Sequence, residues 1–184
     1  GQWLAQALKG VESRDPDMLA YPFKARKETK LWKSEFWGKW FTSAVWAYRY
    51  SHSQKLDKLL RYSAGQIIKT QDAKGAIKTV TPPWDLHEMP TVNSVTTDQS
   101  WDLWGRKYTL LGLLAEYERT GEAFVLEAAC KHADCILESV GDGKKDICRI
   151  GPWFGLPSSS ILEPMALLYQ YTGCGRYLDF AKYI

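Results

Sequence analysis

The chain has 184 residues, of which 45% are hydrophobic, and its 24 basic and 21 acidic side chains give a formal net charge of +3. This length and apolar content suffice for one domain with a sizeable core, which argues against disorder in most of the chain. The charges are interspersed along the sequence, so a nucleic-acid partner is not expected. No apolar run is long enough to span a membrane, and no membrane association is expected.

The cysteines and the N-terminal residues do not identify the cellular compartment of the protein. Cys130, Cys135, Cys148 and Cys174 include no Cys-x-x-Cys pair, so we expect plain buried thiols and no metal or other cofactor in this chain. The first residues do not show the charged-then-apolar pattern of a leader peptide. A leader removed during maturation would be consistent with a periplasmic or secreted protein, and the residues leave the compartment open.

The first predicted helices form a hairpin. Apolar residues recur at three- and four-residue steps from Glu35 to Tyr50 and again from Gln54 to Thr70, and the short polar segment "SHS" joins the two stretches. A third helix is predicted over residues 104–119. It is apolar on almost every side, so it should lie in the interior, and it ends at Thr120-Gly121.

Three more helices follow in the same alternation. Residues 122–140 predict an amphipathic helix, a fifth runs from near Ser160 to Thr172, and a sixth begins within "GRYLDFAKYI". An apolar helix that ends in a Tyr-rich turn thus precedes an amphipathic one three times. This weak repeat predicts an all-α fold of helical hairpins, part of an α/α toroid whose first helices lie inside.

Two long connections interrupt the hairpins. Residues 71–103 and 141–159 contain Gly, Pro, Asp and Trp without helical period, and connections of this length in a compact domain are often functional. We expect both to be ordered, with a short β-pair around Ile77–Thr81. In a toroid they would gather at the rim that receives the N-termini of the inner helices, which would be the functional rim.

The aromatic content is unusual, since nine residues are Trp and ten are Tyr. A Trp-rich core and a site that stacks on the apolar faces of sugars explain it equally well. Several aromatic and polar residues precede the inner helices and would meet at the functional rim. The residues predicted to bind substrate there are Trp37, Trp101, Asp102, Trp104, Lys107, Tyr108, Trp153 and Ser159.

The catalytic residues stay open at this level. Glu35, Asp85, Glu88 and Asp102 are the carboxylates close enough to the predicted rim for acid or base roles, and glycoside cleavage needs two of them. Asp102 could instead cap the third helix. Ser160 and Glu163 fit the spacing of a capping box. The loop residue His87 is expected to be solvated, His52 and His132 are expected to be structural, and no serine-hydrolase, zincin or phosphate-loop motif occurs.

Five segments resemble, in order and spacing, the first half of the catalytic domain of glycoside hydrolase family 127, which includes β-L-arabinofuranosidases. They are "EFWGKWFTSAVWAYRYS", "IIKTQDAKGAI", "WDLWGRKYTLLGLLAEYERTG", "ADCILESVGDG" and "PSSSILEPMALLYQYTGCGRYLDFAKYI". The resemblance implies an (α/α)6 barrel followed by β-sandwich domains. Residues 1–184 would then be a single partial domain, about half of the barrel.

The resemblance also implies a cysteine nucleophile, an acid/base glutamate and a zinc ion held by three cysteines and a glutamate. All of these come from the second half of the barrel, so the four cysteines of this chain are not assigned to these roles. Relatives place sugar-facing histidines where this sequence has Lys107-Tyr108 and Ser158–Ser160. This departure puts the arabinofuranosidase specificity in question.

The sequence therefore predicts part of a glycoside hydrolase whose partner is a carbohydrate. The isolated chain is expected to be inactive. The alternative is a non-catalytic helical protein that binds carbohydrate or acts as a scaffold. An exposed half-barrel would present a large apolar face, which favours self-association.

Overall fold

The computed structural model describes residues 2–30, 32–92 and 99–184, which fold as helices and long connections without a β-strand. The helices are α1 (Gln2–Glu12), α2 (Pro16–Ala25), α3 (Lys33–Ser51), α4 (Gln54–Ile68), α5 (Asp102–Thr120), α6 (Ala123–Ser139), α7 (Leu156–Ser159), α8 (Leu162–Thr172) and α9 (Gly175–Tyr183). None of these helices is long and apolar enough to cross a membrane.

The three predicted hairpins are confirmed as α3–α4, α5–α6 and α8–α9. Each first helix ends at a residue in the left-handed conformation, namely His52, Gly121 and Gly173. This conformation satisfies the last carbonyl groups of a helix and reverses the chain. These turns, which follow the Tyr-rich ends of the first helices, therefore account for the repeated hairpins predicted from the sequence.

The predicted interior position of the third helix is confirmed by α5. Eleven of its nineteen residues are buried. It packs against α3 on one side and α8 on another, while α6 folds back along it as the second helix of the hairpin. The first helices of the hairpins thus lie next to one another, as the α/α toroid requires.

Small residues let α3 and α5 approach closely. A methyl group added at Gly112 would lie 2.5 Å from the Trp37 ring, and one added at Gly38 would collide with the backbone of Tyr108. Trp37 itself is fully buried, and its indole donates to the Ser63 hydroxyl of α4 at 2.9 Å. The α3–α5 contact therefore fixes the position of the start of α5.

The first two helices were not predicted. α2 begins with Asp15, whose carboxylate accepts from the amides of Asp17 and Met18, and with Pro16 in the first turn. Asp followed by Pro is a helix-start signal that the sequence contains. α1 gave no core signal, since its described side chains are exposed or only partly buried. Trp40 of α3 anchors it by donating to the carbonyl of Val11 at 3.2 Å.

The two long connections meet, as predicted, but without the expected β-pair at Ile77–Thr81. This segment instead contacts the chain before α3 through an isolated bridge between Glu28 and Val80. The Glu28 carboxylate is buried and accepts from the Thr79 hydroxyl at 2.6 Å, which holds the two segments together. Residues 93–98, also part of the ordered loop that we predicted, lie outside the described residues.

The connections before α5 and after α6 are joined directly. The Met89 amide donates to the carbonyl of Arg149 at 2.9 Å, and the Arg149 side chain returns a bond to the carbonyl of Met89 at 2.7 Å. Lys145 donates to the carbonyl of Leu86 at 2.8 Å. Both connections therefore form one rim next to the N-terminus of α5.

The predicted capping box at Ser160 is wrong. Ser160 precedes the N-cap of α8, which is Ile161 and makes no side-chain capping bond. The Ser160 hydroxyl donates instead to the carbonyl of Pro157, because α7 inserts a short turn before α8.

Candidate functional site

Aromatic side chains from three segments meet at the entrance of α5. We call Trp32, Trp101, Trp104, Tyr108 and Trp153 the aromatic row. Trp101 is central, with ring centroids 5.5 Å from Trp32, 6.1 Å from Trp104 and 5.7 Å from Trp153. Trp104 contacts Tyr108 at 5.0 Å. All of these contacts are edge-to-face, the arrangement that aromatic pairs prefer.

Helical spacing explains why α5 contributes three members of this row. Trp101 stands at the N-cap, and Trp104 and Tyr108 follow at steps of three and four residues, which lie on one face of a helix. Asp102 and Arg106 stand four residues apart on another face and are buried. The crowded stretch "WDLWGRKY" is therefore divided between a surface and the interior.

A loop with a left-handed backbone brings Trp153 to the row. Trp153 and Phe154 have φ of 49° and 55°, and Gly155 follows at 72°. Bulky side chains rarely adopt this conformation, and each such residue costs about 1–3 kcal/mol. A Cβ at Gly155 would lie 2.8 Å from the Cα of Cys148, so glycine is required there. The loop keeps Trp153 about half exposed while its ring contacts Trp101.

Two lysines and one glutamate surround Trp104 and Tyr108. The Lys107 ammonium lies 4.2 Å from the Trp104 ring centroid and 4.0 Å from that of Tyr108. Lys39 lies 4.9 Å from the Tyr108 centroid and pairs with Glu35 at 2.6 Å. The hydrogen bond to Glu35, followed by the charge of Glu35, raises the pKa of Lys39 against the cost of burial. Glu35 also accepts from the Trp104 indole.

A buried ionic chain lies on the other face of the α5 entrance. It consists of Asp102, Arg106, Asp85 and Lys78. The Asp102 carboxylate accepts from Arg106 at 2.9 Å and from the Leu86 amide at 2.9 Å. Arg106, 1% exposed, continues to Asp85, which also pairs with Lys78. These bonds attach the rim loop to α5.

The pKa shifts follow from burial and from these pairings. Burial opposes ionisation of Asp85, but the charge of Arg106 and the bond from Lys78 outweigh it and hold the pKa of Asp85 below its ordinary value. Burial also opposes protonation of Arg106. Its neighbours Asp102 and Asp85 overcome this effect and raise the pKa of Arg106.

His132 and Cys135 of α6 lie beside this chain. The pKa of His132 is held well below its usual value, mainly by burial and next by the positive charge of Arg106. The Nδ1 atom of His132 accepts from the Ile77 amide at 3.1 Å, so the predicted structural role of His132 is confirmed. Cys135 lies 3.7 Å from an Arg106 nitrogen, and burial raises the pKa of its thiol.

Five of the eight predicted substrate-binding residues come together at one surface. They are Trp101, Trp104, Lys107, Tyr108 and Trp153. Trp37 does not, because its ring fills the α3–α5 contact, and its assignment to the rim is wrong. Asp102 is 2% exposed and bound by Arg106, so its predicted contact with substrate is also wrong. The alternative that Asp102 caps α5 is wrong as well, because Trp101 is the N-cap and makes no side-chain capping bond.

Ser159 and His87 are partly buried and make local contacts. The Ser159 hydroxyl donates to the carbonyl of Gly155 at 3.0 Å, within its own turn. The His87 ring contacts Trp84 at 4.9 Å, so this histidine is less solvated than we expected. Neither observation tests a role in substrate binding.

The remaining candidate carboxylates are engaged with partners. Glu35 bonds Trp104 and Lys39, Asp85 belongs to the buried ionic chain, and Glu88 accepts from the Asp146 amide at 2.9 Å. Glu88 also pairs with Arg149 at 3.4 Å.

The four cysteines are free thiols, and Cys148 is exposed, so the prediction that all are buried is wrong. The described residues contain no group of three His, Cys, Asp or Glu side chains able to hold a metal ion. Cys135 faces the Arg106 guanidinium, whose charge opposes a cation. The resemblance places the zinc ligands in the second half of the barrel, so these residues do not test that zinc centre.

Sequence reasoning missed Trp32 and Lys39. Trp32 precedes α3 outside any periodic pattern, and only its position next to the rim could have suggested it. Lys39 stands four residues after Glu35, a spacing that favours an ion pair on a helix. That signal was present in the sequence.

A concave surface lies between α1, α2 and α3 and adjoins the row at Lys39, which also lines it. It encloses about 750 Å³ and includes Val11, Met18, Phe36 and Trp40. It is mostly apolar and has none of the ring-to-ring contacts of the row. It is a competing location for a ligand.

Comparisons with known proteins agree with this architecture. A family model described as β-L-arabinofuranosidase, GH127 catalytic domain, matches residues 4–184. No curated protein matches the chain. A solved GH127 β-arabinofuranosidase is similar over 98% of this chain and 31% of its own, with a TM-score of 0.67 and 21% identity. A GH127 β-L-arabinofuranosidase from Geobacillus stearothermophilus is similar over 93% and 27%, with a TM-score of 0.67 and 18% identity.

The chain thus spans about a third of the length of these solved enzymes. At this identity the structures establish the shared fold, an all-α architecture that fits part of an α/α toroid. The family model covers nearly all of the chain. The chain therefore belongs to glycoside hydrolase family 127, whose catalytic-domain model it matches over residues 4–184.

Proposed function

We propose that this chain forms one wall of the sugar-binding site of a glycoside hydrolase that cleaves terminal sugars from glycans. The aromatic row is the observation that carries the proposal. Its members contact one another at the entrance of an inner helix, and Trp32 and Trp153 are 39% and 51% exposed. Rings in this setting can stack on the apolar C–H faces of sugars.

The polar groups around the row would orient the sugar. Lys107 and Lys39 lie beside the rings of Trp104 and Tyr108, and Glu35 joins Lys39 to the Trp104 indole. A few fixed polar groups within an apolar surface are typical of specific ligand sites. The arabinofuranose specificity of the solved relatives is not carried over, because the resemblance implies histidine where this chain has Lys107 and Tyr108.

A non-catalytic sugar-binding role for this chain by itself is the second candidate. It is favoured by the engagement of Glu35, Asp85 and Glu88 in ion pairs and hydrogen bonds. Hydrolysis needs one carboxyl group to donate a proton and another to act as nucleophile or base. The 184-residue chain is therefore expected to bind sugar without hydrolysing it.

Binding and turnover separate these possibilities. Tryptophan fluorescence of the 184-residue chain would be titrated with a panel of neutral and acidic oligosaccharides, and the same chain would be assayed on aryl glycosides. We expect saturable binding that weakens about two- to tenfold in Trp104→Ala, since contact with one aromatic ring contributes about 0.5–1.5 kcal/mol. Trp46→Ala is the matched control, because Trp46 is 67% exposed on α3 but lies outside the row.

Equal binding by the two variants would contradict the proposed site. Absence of saturable binding to every sugar in the panel would contradict a sugar-binding role for the chain. Turnover of an aryl glycoside would contradict the expected inactivity and remove the non-catalytic alternative.

A further inference from the structure

Lys107 is the most enclosed cation of the aromatic row. The residue is 7% exposed, and its ammonium lies about equally close to the ring centroids of Trp104 and Tyr108, at 4.2 and 4.0 Å. Among the described residues no carboxylate lies within ion-pairing distance of it. The two rings are its observed partners, and an aromatic face compensates a buried charge only in part.

The neighbouring charges do not balance that of Lys107. Glu35 is the carboxylate that bonds to the row, and it pairs with Lys39 at 2.6 Å. Lys39 lies beside the same two rings, with its ammonium 5.8 Å from Trp104 and 4.9 Å from Tyr108. Among the described residues, two cations and one carboxylate thus surround these rings, which leaves the charge of Lys107 without a carboxylate partner.

We propose that the sugar bound at the aromatic row carries a carboxylate, which pairs with Lys107. This inference rests on the proposed sugar-binding function and adds the class of sugar, a uronic acid or another sugar acid. A sugar that lies beside the rings of Trp104 and Tyr108 would bring its carboxylate to the Lys107 ammonium, which lies over both rings. A neutral sugar would offer only hydroxyl groups and would leave the charge unbalanced.

The position of Lys107 suits such a contact. Its stem is covered by protein, so little side-chain freedom is left to lose on binding, and its ammonium is a compact point charge. Charge pairs in partly enclosed sites are screened less than pairs in open water. The preference for an acidic sugar should therefore depend mainly on this one residue.

The closest test compares sugars that differ only in charge. Tryptophan fluorescence of the 184-residue chain would be titrated with galacturonate and glucuronate, each against its own methyl ester, and with galactose. We expect at least one acid to bind about tenfold more tightly than its ester, which corresponds to about 1.4 kcal/mol. The methyl ester keeps the ring and its hydroxyl groups, so this comparison does not depend on a protein variant.

Variants then locate the effect. Lys107→Met keeps the apolar stem and removes the charge, and it should reduce the preference for the acid to less than about twofold. Lys107→Arg should retain most of it. Lys131→Met is the matched control, since Lys131 is an exposed lysine of α6 that pairs with Glu127. Its removal changes the net charge equally and should leave the preference unchanged.

Each outcome separates this inference from the proposed function. Binding of acid and ester with equal affinity would overturn the acidic-sugar inference while sugar binding itself stands. Loss of the preference in both Lys107→Met and Lys131→Met would overturn the role of Lys107, because net charge would then explain it. Tighter binding of galactose 6-sulfate than of either uronate would contradict the assignment of a carboxylate as the group that pairs with Lys107. Failure of every sugar to bind would overturn the inference together with the proposed function.

Discussion

The aromatic row and the buried ionic chain both begin in the stretch "WDLWGRKY", yet they differ in what surrounds them. Trp101, Trp104 and Tyr108 keep part of their surface open, whereas Asp102 and Arg106 are 2% and 1% exposed. One face of the helix can therefore contact a ligand, and the other attaches the rim loop through charges. The first turns of one helix can therefore carry a binding surface on one face and, on the other, the ion pairs that hold the neighbouring loop in place.

The largest expected effect comes from breaking the buried side. Arg106→Met leaves Asp102 charged and without its partner in the interior, which should lower the free energy of unfolding by about 3–5 kcal/mol. Denaturant unfolding would measure the loss. Arg61→Met is the control, because Arg61 pairs with Asp57 and Glu122 at the surface and such pairs contribute about 0–1 kcal/mol. Similar losses in both variants would contradict the structural role of the ionic chain.

The next effect concerns the spacing of α3 and α5, on which both faces depend. Gly112→Ala would place a methyl group 2.5 Å from the Trp37 ring and should destabilise the chain by about 1–3 kcal/mol. Gly65→Ala in α4 is the matched control, since no atom lies within 4 Å of its added methyl. It should gain up to about 1 kcal/mol through helix propensity. If thermal unfolding shows no loss for Gly112→Ala, the close approach of the two helices is not as described.

The buried side also predicts a dependence on pH. His132 has a folded pKa well below 6.5, so the unfolded chain takes up a proton below that pH and the folded chain does not. The free energy of unfolding should therefore fall by up to about 1.4 kcal/mol per pH unit from about pH 6.5 to 5. Asp85 affects the free energy of unfolding only at lower pH. The folded pKa of Asp85 lies below its ordinary value of 3.8, so its stabilising charge is lost only as the pH falls below that value.

His132→Gln should flatten this slope, because glutamine does not titrate and can still accept from the Ile77 amide. Urea unfolding of both proteins at several pH values would give the two slopes. An unchanged slope in His132→Gln would assign the pH dependence to other groups.

The smallest effect tests the support of the row. Phe154→Gly removes a bulky side chain from a left-handed backbone position and should raise the free energy of unfolding by about 0.5–1 kcal/mol. Phe124→Gly, at an equally exposed phenylalanine in the first turn of α6, should lower it by about 0.5–1 kcal/mol. Destabilisation by both would show that Phe154 is not strained.

Sequence reasoning predicted the parts of the fold that depend on periodic burial. The helices of the three hairpins follow from apolar residues at three- and four-residue steps, and the inner position of α5 follows from its apolar circumference. α1 was missed because its described side chains contribute no buried stripe. The β-pair expected at Ile77–Thr81 is present only as one bridge between Val80 and Glu28, a partner from a distant segment that the sequence pattern does not indicate.

Helical spacing also distinguishes the predicted substrate-binding residues that lie at the surface from the one that lies in the core. Trp101, Trp104 and Tyr108 share a face, so their convergence could be read from the sequence. Trp37 stands four residues before Phe41 and seven before Ala44, which are both buried, and this spacing could have placed it in the core. The burial of Asp102 could not be predicted, because it depends on the Leu86 amide of a distant loop.

The most direct test of the account is which of the nine indole groups respond to a bound sugar. In ¹⁵N-labelled chain titrated with the tightest-binding sugar of the fluorescence panel, the indole NMR signals of Trp32, Trp101, Trp104 and Trp153 should shift together. The signal of Trp37 should stay in place, since its indole is buried and bonded to Ser63, and so should that of Trp46. Shifts confined to Trp40 or Trp46, with the row unchanged, would contradict the account.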